Sequence, residues 1–168
     1  NRVVEFYGKQ SLEEAKLSAN AFSNIFTNVL KRNGFDVDKL ENKSIAVNVL
    51  DNNTKGDGPH YRCIDFYNTT SYPWKNAPIA AISNNKITVN VVLSDQEHRN
   101  YLSTISNVIN VLGVHEYTGH GILKLGSDQH WQILKMQRAH PSWNNTTKKL
   151  KDLYLQLEKE IPEEYVKH

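Results

Sequence analysis

Two histidines set five positions apart, at the end of an almost wholly apolar run, constrain this chain more than any other feature. The run is Val108-Ile-Asn-Val-Leu-Gly-Val114, and it leads directly into His115-Glu-Tyr-Thr-Gly-His-Gly121. A stretch this apolar predicts a helix covered on several sides. Leu112 lies three and four residues before His115 and Glu116, which puts that pair beside the core-facing stripe. On an α-helix, however, five residues turn by roughly 500°, leaving the two imidazoles about 140° apart. Two backbone devices can realign them. One is a π-bulge, whose extra residue brings positions i and i+5 to one face. The other is a helix end at Gly119, from which His120 swings back. Both give Gly119 a purpose that a plain helix interior does not.

Burying a carboxylate and two imidazoles without partners is costly. A divalent cation removes that cost and gives the groups a task. Two histidines on one helix face, with a glutamate directly after the first, form the ligand pair and general base of many metal-dependent hydrolases. The segment therefore predicts His115 and His120 as zinc ligands and Glu116 as the base, with one residue more than the usual H-E-x-x-H spacing. Catalytic zinc takes three protein ligands and keeps a fourth position open. His130 is the first choice for the third, because Leu125-Gly-Ser-Asp-Gln129 is a turn that can return the chain to the metal. Asp128 is the second choice, or an outer partner that orients an imidazole. His140, just before Pro141, is read as a substrate-binding or helix-capping residue and as a further ligand candidate. Tyr117 and Tyr154 are candidates for steadying an oxyanion, against the plainer reading of aromatic packing. His60 and His98 read as surface residues, His168 as terminal, and Trp74, Trp131 and Trp143 as core or cleft-wall residues.

The rest of the chain predicts an α+β order. Ser11-Leu-Glu-Glu14 is a capping box, and the apolar series from Leu12 to Leu30 predicts a helix stopped near Asn33-Gly34. Ser44–Leu50, Tyr61–Tyr67, Ile79–Ser83 and Lys86–Leu93 read as strands. Asn84-Asn85 makes the last two a hairpin, so a small, mostly antiparallel sheet is expected, with Lys86–Leu93 as an edge. Ser94-Asp-Gln-Glu97 is a second capping box and predicts one long helix running to His115. Two more helices are expected near Gln129–His140 and Thr146–Glu160, the latter burying Leu150, Leu153, Tyr154 and Leu157. Its other face, with Glu158 and Glu160 and then Glu163 and Glu164, is solvated.

Length and composition narrow the classes. At 168 residues with 39% apolar content, a single domain over 1–168 is expected. The net charge of +2, without a basic stripe, argues against nucleic acid as a partner. No apolar run approaches the ~20 residues of a membrane span. The single Cys63 precludes an internal disulfide and reads as a buried, inert thiol. Because the chain starts at Asn1, it is expected to be a processed form or a piece of something longer. The Asn-x-Ser/Thr sequons arise readily by chance in so Asn-rich a chain and carry no weight.

His115-Glu-Tyr-Thr-Gly-His120 is similar to the H-E-x-x-G-H zinc motif of dipeptidyl peptidase III metallopeptidases, in chains far longer than this one. Over His115–Thr147, the segments HEYTGHG, GSDQHW and QRAHPSWNNTT resemble the zincin-like metallopeptidase domains of bacterial polymorphic and Rhs-type secreted toxins. That resemblance implies a zincin-like fold, zinc-peptidase chemistry on a protein or peptide substrate, secretion or delivery to another cell, and a cognate immunity or inhibitor protein. Zinc would activate water and polarise the scissile carbonyl, while Glu116 takes the water proton and passes it to the leaving amine. A zinc amidase acting on cell-wall peptides shares the motif. A non-catalytic metal- or partner-binding module is the reading from another class.

Overall fold

Asn33-Gly34 ends the first helix by a defined device. In the computed structural model, which describes residues 12–50, 79–92 and 96–160, α1 spans Leu12–Arg32. Gly34 takes the left-handed conformation (φ +88°), Phe35 N–H donates to Leu30 O and Gly34 N–H to Lys31 O. This pair of reversed bonds satisfies the last carbonyls and turns the chain sharply. It delivers Phe35 to the side of the later helix that carries the histidines. The capping box at Ser11, the strand at Tyr61–Tyr67, His60, Cys63, Trp74, Ser94, Glu163, Glu164 and His168 lie outside the described residues.

Among the described residues three strands follow: β1 (Ala46–Leu50), β2 (Ala80–Ser83) and β3 (Lys86–Val92). Asn84 and Asn85 both have positive φ (51° and 61°), so the two-residue turn joins β2 and β3 as the sequence predicts. The sheet order is β1-β3-β2, with β1 parallel and β2 antiparallel to β3. Two expectations are corrected here. The sheet is mixed rather than mostly antiparallel, and β3 is its centre rather than an edge. The strand's composition agrees with the central place: Ile87, Val89 and Val91 are buried, and so is Asn90 on the opposite face. A strand covered on both faces loses its polar alternation.

The long helix expected from Ser94 is interrupted. Gln96–Asn100 forms the short α2, the chain turns through Tyr101–Ser103, and Thr104 caps a new helix, α3 (Ile105–Val108), by accepting from Asn107 N–H. Thr104 supplies a local oxygen acceptor for an orphan helix donor, which favours restarting the helix there. α2 packs on β3, and His98, read from sequence as a surface residue, is 5% exposed.

α3 runs without a break into a π-helix, Ile109–Ile122. A short 3-10 turn (Ser127–Gln129) leads to α4 (His130–Ala139), a second 3-10 turn (Pro141–Asn145) to α5 (Lys148–Glu160). One core joins all of these. Phe26 and Leu30 from α1, Ile87 and Val89 from β3, Val111 and Leu112 from the π-helix, and Leu150 and Tyr154 from α5 belong to it. Asn107 and Thr147 exchange two hydrogen bonds of 3.0 Å, which docks the start of α5 on α3. Arg138 and Glu158 pair on the surface. No helix among the described residues is long and apolar enough to cross a membrane.

Candidate metal centre

The five-residue spacing is resolved by the backbone itself. The helix that carries both histidines is bonded i to i+5 across 14 residues, where such geometry is usually a single turn. Leu123 N–H donates to Thr118 O at its end, and the Thr118 hydroxyl donates to Gly113 O. His115 and His120 therefore share a face, with ring centroids 5.0 Å apart. Of the two devices expected from sequence, the first is present in extended form, and the helix does not stop at Gly119.

Glycine serves this helix by making room rather than by bending it. A Cβ on Gly113 would lie 2.6 Å from the Phe35 ring, one on Gly119 2.9 Å from Ile133, and one on Gly121 2.9 Å from Ile82. Neighbours from the end of α1, from α4 and from β2 thus press against the helix at bare backbone. Gly119→Ala is expected to cost about 1–3 kcal/mol, as overpacking does. It should also weaken metal binding, because Ile133 lies one turn after His130 on α4. Trimming the neighbour in a Gly119→Ala/Ile133→Ala double variant should recover part of both losses. Urea denaturation and a zinc titration on the three proteins check this; a neutral Gly119→Ala contradicts the close-packing argument.

His130 arrives from the other side. The chain leaves the π-helix through Lys124 in the left-handed region (φ 56°), and Lys124 Nζ donates to Asn85 Oδ1 on the hairpin turn. Leu125 N–H donates to Gly119 O. This return loop lets α4 begin with His130 beside the pair. The potential ligand atoms of His115, His120 and His130 all lie within 4.8 Å of one another. The remaining ring centroids are 5.2 Å apart for His115–His130 and 4.9 Å for His120–His130. His120 Nε2 and His130 Nε2 are 3.0 Å apart. A tetrahedral ion with bonds of about 2.0–2.1 Å holds its nitrogens roughly 3.3 Å apart, so the donor set suits such an ion with small ring movements.

The outer contacts decide which nitrogens face inward. His120 Nδ1 is 2.7 Å from Leu125 O. A carbonyl only accepts, so Nδ1 carries the hydrogen and Nε2 keeps its lone pair. His115 Nδ1 is 2.7 Å from Gln137 Oε1, and its Nε2 is 4.0 Å from Glu116 Oε1. Glu116 and His115 are 0% exposed and His130 8%, while His120 is half-buried and opens the cluster toward solvent. The Tyr154 ring stacks on His115 at 5.7 Å.

The other candidates go elsewhere. Asp128 is exposed and outside the cluster. His140 caps the 3-10 turn that follows it, accepting from Ser142 N–H. Tyr117 donates to Asp36 O at 2.8 Å and meets Phe35 edge-on. Burial, reinforced by the nearby Asp36 charge, pushes its phenol up, so it stays a neutral donor in a packing role. Trp131 is half-buried with Lys135 Nζ over its ring, and Trp143 packs against the core.

Gln137 and Asn110 are the site residues that motif reading missed. Both carried a signal. His130, Ile133, Leu134 and Gln137 are the buried positions of α4, so an amide occupies the last place of an otherwise conventional i, i+3, i+4, i+7 stripe. Asn110 is the polar residue within the apolar run Val108–Val114. The chain matches no protein-family model, no curated protein and no solved structure. The resemblance to zincin-like toxin domains rests on the motif residues alone.

Proposed function

We propose that this protein is a zinc-dependent hydrolase that cleaves peptide bonds, with His115, His120 and His130 holding the metal and Glu116 as general base. The observation that carries this reading is the convergence of three imidazoles beside a fully buried carboxylate. Burying an ionised carboxylate costs several kcal/mol unless opposite charge is near, and a divalent ion among the rings is such a charge. Bound there, zinc would supply Lewis acidity and an activated water. Glu116 would act as the general base toward water and pass the proton on to the leaving amine. In this reading Tyr154, whose ring stacks on His115, steadies the developing oxyanion. The half-exposed side of His120 is the approach for substrate.

The context of a secreted bacterial effector, with an immunity protein as partner, follows from the resemblance over His115–Thr147. Cell-wall peptides fit the same chemistry as protein substrates. A second reading, a metal site without catalysis, draws on the complete burial of Glu116, since a general base has to meet water. Chelation separates the two. The purified protein should contain one zinc per chain, and stripping it should abolish hydrolysis of a quenched peptide library. One equivalent of zinc should restore that hydrolysis. Stoichiometric zinc with no hydrolysis of protein or cell-wall peptides would establish the non-catalytic reading, and absence of zinc uptake would refute both.

A further inference from the structure

We propose that Gln137, locked by Asn110, is the positioning residue that sets the tautomer of His115 and so selects which ring nitrogen is offered to a metal ion. The last clause rests on the metal reading above; the first does not. Gln137 and Asn110 are both 0% exposed, and their bonds form a directed chain. Gln137 Nε2 donates to Asn110 Oδ1 (3.0 Å) and meets Asn110 O at 3.5 Å. Asn110 Nδ2 donates to Gln137 O and to Ser142 Oγ, each at 3.0 Å.

Two backbone carbonyls, Asn110 O and Gln137 O, fix the direction, because neither can turn into a donor. Flipping the Gln137 amide would aim its oxygen at two acceptor oxygens, and flipping Asn110 would set its oxygen against Gln137 O. Both amides therefore have one orientation, and in it Gln137 Oε1 faces His115 Nδ1 at 2.7 Å. Only Nδ1–H satisfies that oxygen, which leaves Nε2 as the lone-pair atom turned toward the cluster. Zinc-bound histidines are commonly oriented by a carboxylate. Here glutamate would not serve, because it has no donor for the Asn110 oxygens. A neutral amide does the orienting, and Glu116 remains the carboxylate of the cluster.

The test reads the tautomer directly. In the metal-free wild-type chain, long-range 1H–15N correlation at pH 8 should show His115 protonated on Nδ1. Gln137→Met, similar in volume but unable to accept at that point, should keep its circular dichroism while His115 loses its single tautomer. Its zinc affinity, by competition with a chromogenic chelator, should fall about 10–100-fold, as for other lost outer-sphere partners. Gln137→Glu should fall as well rather than rescue. A wild-type His115 protonated on Nε2 overturns the proposal, as does a folded Gln137→Met with unchanged tautomer and affinity. If Gln137→Met does not fold, the wild-type tautomer alone decides. If wild type takes up no zinc yet holds the Nδ1–H form, the positioning role stands and the metal reading fails.

Discussion

Glu116→Gln is expected to lower peptide hydrolysis by about 10²–10⁴-fold, the range for a lost general base, while zinc still binds at one equivalent. Glutamine has nearly the same volume, so the fully buried site keeps its packing. What disappears is the capacity to take a proton, 4.0 Å from His115 Nε2. Removing a buried charge can stabilise the metal-free fold, so unfolding is not the expected route to the loss. Turnover of the best substrate from the peptide library, measured beside metal content, is the relevant comparison. If the variant retains zinc and full activity, Glu116 is not the base.

His120→Ala is expected to cost about a hundred-fold or more in zinc affinity. Structural zinc sites are worth about 10–16 kcal/mol, so one ligand among three or four carries roughly 3 kcal/mol, or about two decades. His120 is the suitable probe because it is half-buried where His115 is 0% exposed. Its removal opens little cavity and frees the Leu125 carbonyl near solvent. Asp128→Asn and His140→Ala serve as contrasts. Asp128 is exposed outside the cluster, and His140 is engaged with Ser142. Both variants should bind zinc as wild type does. A chelator-competition titration on the three variants decides; loss of affinity in His140→Ala equal to that in His120→Ala would put the third ligand elsewhere.

The sequence by itself determined much of this protein. Local chemistry was enough where a few adjacent residues set the outcome. Asn33-Gly34 stops α1, Asn84-Asn85 turns the β2–β3 hairpin, and the stripe at Leu150, Leu153, Tyr154 and Leu157 marks α5. The apolar run into His115-Glu-Tyr-Thr-Gly-His120 located the site, and the glycine turn before His130 pointed to the third imidazole. Tertiary structure decided the rest, wherever the cause was a neighbour distant in sequence. Strand β3 lies between two strands because β1, some forty residues earlier, pairs with it in parallel. Gly113, Gly119 and Gly121 are places where Phe35, Ile133 and Ile82 press on backbone, a role no local pattern states. Periodicity reports which residues share a face only once the period is known. Here a π-helix held from three sides replaced the α-helical period, so the spacing alone could pose the problem of the two histidines but not select its solution.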